Sequence, residues 1–75
     1  MNDWKFGDIL RPKIGNTYGY RILMYVGPTE RNTEFIGTCI RPDPNDDFGL
    51  NRVSVGAQGV TYRGWFYNSF DKLNA

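Results

Sequence analysis

Apolar and polar positions alternate most cleanly over residues 20–26. Tyr20, Ile22, Met24 and Val26 fall on one side of an extended chain, and Arg21, Leu23 and Tyr25 on the other, as the period of two in a β-strand requires. Gly27-Pro28 predicts the end of this strand. Shorter runs of the same kind recur between turn signals. Residues 8–11 read as a first strand, entered through Phe6-Gly7-Asp8 and stopped by Pro12; residues 13–19, with Gly15-Asn16, read as a loop. The polar stretch 29–33 is a turn, and 34–41 is a third strand with Ile36 and Ile40 on one face. Pro42-Asp43-Pro44-Asn45-Asp46-Asp47 must be a loop, because proline cannot donate to a ladder. Residues 52–55 predict a fourth strand, Gly56-Ala57-Gln58-Gly59 a four-residue hairpin loop, and 60–65 a fifth strand.

Helical periodicity is nearly absent, since Gly or Pro interrupts almost every window of ten residues. The tail differs. Asn68 suits a helix cap, Asp71 suits the first turn, and Phe70 and Leu73 are apolar. Residues 69–73 therefore predict one short helical turn, or else a final extended segment packed on the barrel mouth. The whole pattern predicts a mainly β protein: one domain over residues 1–75, built as a small, strongly bent five-stranded antiparallel sheet. Closure of such a sheet removes exposed edges.

The run Phe6-Gly7-Asp8-Ile9-Leu10-Arg11, then a Gly-containing loop, then Tyr20-Arg21-Ile22-Leu23, resembles the opening of SH3-like small barrels. That resemblance covers about the first third of the chain. It implies an SH3-like barrel. It does not imply proline-motif binding, because the Trp-Trp and Ala-Leu-Tyr-Asp-Tyr runs of signalling SH3 domains are missing. In overall style the chain also looks like small phage-encoded accessory proteins: short, aromatic-rich and without catalytic motifs.

Composition narrows the chemistry. Aromatic residues are 16% of the chain, so a core can be built from few side chains. Histidine is absent and Cys39 is the only cysteine, which removes the usual general base, the usual metal ligand and any intramolecular disulfide. No phosphate-cradling glycine motif is present. Asp43, Asn45 and Asp47 alternate as in a calcium loop, but Phe48 stands where glycine is needed and Ser54 where a bidentate Glu is needed. The expectation is therefore a non-enzyme with no metal and no cofactor, and a solvated acidic turn at Asp43, Asp46 and Asp47. The start of the chain lacks the pattern of a signal peptide, and no apolar run is long enough to span a bilayer. With a lone thiol, expected to be a small buried residue, this predicts a cytoplasmic protein that is monomeric alone.

Net charge is +1, which is not the strongly basic balance of a nucleic-acid binder. Surplus Tyr, Trp and Arg suit a protein interface. The leading expectation is a protein-binding module that regulates or inhibits a larger partner by occupying its surface. The phage-like style adds a host enzyme, with RNA polymerase and host transcription as the example. Arg21, Tyr25, Arg63 and Trp65 are the interface candidates, although Trp65 also fits a core position. Asp43, Asp46 and Asp47 are candidates for meeting a basic partner surface. Trp4 and Phe6 are expected as lids on the barrel. The alternative is a nucleic-acid-binding barrel, using Arg11, Lys13, Tyr18, Tyr20 and Arg52 from the chain's basic and aromatic sets, by phosphate contact and base stacking.

Overall fold

The computed structural model describes residues 3–13, 21–42 and 57–73. Within them the chain forms five strands: β1 (Ile9–Pro12), β2 (Ile22–Pro28), β3 (Glu34–Arg41), β4 (Thr61–Phe66) and β5 (Phe70–Lys72). A 3-10 turn, Tyr67–Ser69, joins the last two. All pairings are antiparallel, in one sheet of order β4-β3-β2-β1-β5. The fold is mainly β, as the alternation and the turn signals predict.

The strand order has a geometric consequence. β4 and β5 lie at opposite ends of the sheet order, yet a three-residue turn connects them. Flat, five strands would separate the outer two by about 19 Å. A 3-10 turn of this length advances only about 6 Å. The sheet must therefore curl until its two edge strands approach each other, without a ladder closing between them among the described residues. Trp65 on β4 and Phe70 on β5 meet across this seam, ring centroids 5.9 Å apart and nearly perpendicular. Backbone bonds hold the strap on both sides. The Tyr67 N–H donates to the Thr33 carbonyl at 3.0 Å, and the Lys13 N–H to the Ser69 carbonyl at 2.9 Å.

The inside of the curl is the core: Leu10, Leu23, Tyr25, Phe35, Cys39, Trp65 and Phe70, with Trp4 and Tyr67 packed against it. Arg21 joins them and is 1% exposed. The inner positions alternate along each strand, interrupted by register shifts between Ile22 and Leu23 and between Tyr25 and Gly27 on β2. Each shift is a β-bulge, and bulges sharpen the bend of a sheet. Glycine supplies room for the largest rings. A side-chain carbon at Gly37 would stand 3.0 Å from the Phe35 ring and 3.2 Å from the Trp65 ring. The Trp65 Nε1–H donates to the Gly37 carbonyl at 3.2 Å, which satisfies the buried indole.

Several boundaries depart from expectation. Gly27-Pro28 does not end β2: Pro28 still pairs with Phe35, as the last residue of the strand. Likewise Pro12 is the last residue of β1, opposite Phe70, rather than the residue beyond it. A terminal proline loses little, because the ladder needs no further N–H there. The tail is an extended segment, β5, and the helical turn comes earlier, over Tyr67–Ser69. Asn68 sits inside that turn; the cap position is Phe66, with no side-chain bond. Phe6 is 72% exposed and is not a lid. The expected strand at 52–55 and the loop at 42–47, apart from Pro42, lie outside the described residues.

The Gly-Asp opening has a definite job. Gly7 adopts a φ of +96°, in the left-handed region that favours glycine. The turn it makes lets the Gly7 N–H donate to the Tyr25 carbonyl (2.9 Å) while the Tyr25 N–H donates to the Asp8 carbonyl (2.8 Å). The Asp8 carboxylate accepts from the Lys5 N–H at 2.8 Å and faces Lys72 at 3.6 Å. This short segment docks Trp4 onto the core.

Candidate interaction face

The expected interface residues divide sharply by depth. Arg21, Tyr25 and Trp65 are 1%, 6% and 1% exposed, so they belong to the interior of this fold and not to its surface. The wet side of β2 is the reverse of the one that the placement of Arg21 and Tyr25 implies. Tyr25 explains why. Its ring packs against Trp4, Phe35 and Tyr67 at centroid distances of 5.7, 5.5 and 6.2 Å. That aromatic cluster takes the whole odd-numbered face of β2 inside, and Arg21 goes with it. A buried guanidinium is costly unless engaged. Arg21 does have interactions in the interior, and its positive charge acts on the Cys39 thiol.

Two polar groups in this interior carry displaced acidities. Burial, with a smaller contribution from a 2.7 Å hydrogen bond between the Tyr25 and Tyr67 hydroxyls, pushes the Tyr25 phenol up to about 12. Burial also raises Cys39, opposed by the Arg21 charge and by a hydrogen bond from the Arg41 backbone.

Arg63 is exposed, as expected, but its guanidinium is engaged by the Glu30 carboxylate across the β2–β3 turn. Glu30 is held below the ordinary carboxylate range by its own backbone N–H and then by Arg63. Arg31 pairs with Glu34 at 3.6 Å in the same turn. Thr29 closes that turn: its hydroxyl accepts from the Arg31 N–H at 3.0 Å and lies within donating distance of the Arg31 and Glu34 carbonyls. Charge at this end of the sheet is largely neutralised locally.

The opposite end differs. Arg11, Lys13 and Arg41 are exposed, and no carboxylate among the described residues makes an ion pair with them. Register brings two of them onto one line. Arg11 is opposite Asp71, and continuing the β1–β2 pairing by one residue sets Arg11 beside Ile22. Ile22 is in turn opposite Arg41, with Ile40 bulged out next to it. Arg11 and Arg41 thus flank Ile22 on the outer face, two strand spacings or about 10 Å apart. The next outer row is Ile9, Met24, Thr38 and Thr61, in register across four strands. The Thr38 and Thr61 hydroxyls hydrogen-bond at 2.6 Å. Leu73, 46% exposed, extends this row past Ile9, to whose carbonyl its N–H donates.

An outer face this apolar is not visible as a motif. The signal was the even-numbered run Ile22, Met24, Val26, which alternation alone assigns equally well to core or surface. Of the nucleic-acid candidates, Arg11 and Lys13 are on this exposed end. Tyr18, Tyr20, Arg52, Asp43, Asp46 and Asp47 lie outside the described residues. Among the described residues no group of three or more His, Cys, Asp or Glu side chains is arranged to hold a metal ion, and no helix is long and apolar enough to cross a membrane. No family model, curated protein or solved structure matches this chain.

Proposed function

We propose that this protein is a binding module that acts by covering the surface of a larger protein. The observation that carries the reading is the outer face of the curled sheet. Ile9, Ile22, Met24 and Ile40 lie outside a core that is complete without them. Solvated faces of antiparallel sheets ordinarily alternate to polar residues; here Ile40 is exposed and Ile9, Ile22 and Met24 are half-buried beside arginine, a mixture that suits a protein interface. An SH3-like barrel, with which the curled five-stranded sheet is compatible, is the architecture we assign to it.

The position of the aromatic rings supports a protein over a nucleic acid. Stacking on single strands needs exposed rings. Tyr25 and Trp65 are buried, Trp4 and Tyr67 are packed on the core, and the exposed rings of Phe6, Tyr62 and Phe66 lie outside the two outer rows around Ile22 and Met24. The test is affinity capture with the tagged chain from a lysate of its source, beside an unrelated small β protein as a control. The expected result is a protein retained in stoichiometric amount by this chain alone. Recovery of no such protein, together with salt-steep binding to oligonucleotides, would replace this reading with the nucleic-acid one.

A further inference from the structure

Resting on that reading, we propose that the partner docks an acidic, apolar segment across the β1–β2–β3 outer face, with Arg11 and Arg41 gripping its carboxylates and Ile22, Ile40 and Met24 taking its apolar side chains. Charge complementarity selects this occupant. Lys72, Arg31 and Arg63 each have a carboxylate near them. Arg11 and Arg41 make no ion pair among the described residues, although Asp71 lies opposite Arg11 across β1–β5 and both arginines stand at strand positions with fixed backbone. Arginine presents a planar fork of donors that matches a carboxylate in two bonds. The backbones that carry the two forks are about 10 Å apart, and the long arginine side chains can converge on carboxylates of alternate residues in an extended segment, which lie on one face about 6.6 Å apart.

The apolar part of the face fixes what lies between those carboxylates. Ile22 separates the two arginines, Ile40 is bulged outward beside Arg41 and is 38% exposed, and Met24 follows in the next row. Methionine adapts its shape to what it meets. A uniformly charged polymer would satisfy the arginines and leave these side chains wet. A segment mixing Asp or Glu with Leu, Ile or Val satisfies both.

The test is fluorescence anisotropy on the full chain with three labelled probes: a short peptide alternating Glu with Leu, the same peptide with Lys in place of Glu, and a short oligo-dT. The expected result is binding of the Glu peptide alone, weakened about tenfold or more by Arg11→Glu with Arg41→Glu. Arg63→Glu, at the neutralised end, is expected to leave it within about twofold. Circular dichroism melting checks that the double variant is folded; Arg11→Gln with Arg41→Gln is the milder pair should it not be. Equal binding of all variants, or no binding of the Glu peptide, overturns the proposal. Binding of oligo-dT that is lost in the double variant overturns it in favour of a nucleic acid. If affinity capture recovers the same protein with wild type and with the double variant, the protein-binding reading stands and this face is not where it acts.

Discussion

At the scale of single residues, one hydroxyl ties the packing to a measurable pH dependence. Tyr25 is 6% exposed and its phenol is raised from 10.0 to about 12, chiefly by burial. The folded state therefore favours the neutral phenol more than the unfolded chain does. That preference contributes fully below pH 10, and it is lost as pH rises from 10 through about 12. A shift of two units is worth about 3 kcal/mol. Chemical denaturation at a series of pH values should show wild type losing stability on this order between pH 10 and 12. Tyr25→Phe should flatten that loss, because it removes the titrating group and leaves the half-buried Tyr67 hydroxyl able to reach water. Identical slopes for the two proteins would mean that Tyr25 ionises as freely folded as unfolded. The same residue shows where sequence reading ran out. Arg21 marks its face of β2 as wet by charge, and Tyr25 marks it as wet only if its ring is unclaimed. Trp4, Phe35 and Tyr67 claim it, and those contacts are long-range.

At the scale of elements, the strands were legible wherever alternation was unbroken. The 34–41 strand matches β3 in full, and the 20–26 and 60–65 strands match β2 and β4 to within two residues at each end. The polar stretch marked a turn correctly at 29–33, and glycine did so at Gly59, whose φ of +84° lies in the left-handed region that favours it. Proline misled at Pro12 and Pro28, where it closes a strand from within. β5 was hidden for another reason. Three residues give no period, and Phe70-Asp71-Lys72 is extended only because β1 offers it a partner. The outer face around Ile22 was likewise hidden, since its rows join residues from four different segments. Gly37 is the element-scale feature with the clearest consequence. It is the inner position of β3 between Phe35 and Cys39, and both the Phe35 and the Trp65 rings border the space its missing side chain leaves. Gly37→Ala puts a methyl 3.0 to 3.2 Å from both. Ordinarily alanine in a strand gains over glycine, so a propensity argument predicts stabilisation. Overpacking costs about 1 to 3 kcal/mol and should win, since Phe35 is held by Trp4, Tyr25, Tyr67 and Phe70, and Trp65 by Phe70 and the indole bond to Gly37. Thermal melting should fall by several degrees; a rise would show that the rings have slack.

At the scale of the whole molecule, no strand among the described residues has a core of its own that would let it open by itself. Every strand contributes to the same seven-residue cluster, and β4 and β5 are strapped together across the curl. Local opening needs a region that can leave while the remainder stays packed. Removing the strap exposes Trp65 and Phe70 together, and with them most of the core. Cys39 reports on this directly. It is 0% exposed on the inner face of β3, and burial raises its pKa, an effect that the Arg21 charge and the Arg41 backbone offset only in part. Neither access nor thiolate character favours reaction in the folded state. Modification of Cys39 by a thiol reagent should therefore be slow in native buffer. Its rate should rise with denaturant along the same slope as global unfolding measured by Trp fluorescence. A fast rate that ignores denaturant would show that the curl opens beside Cys39 while the rest stays folded. In that case the outer and inner faces of β3 would not be independent. A partner gripping Arg41 and Ile40, the two residues that follow Cys39, would then slow the thiol, and the same labelling experiment would read out docking on the outer face.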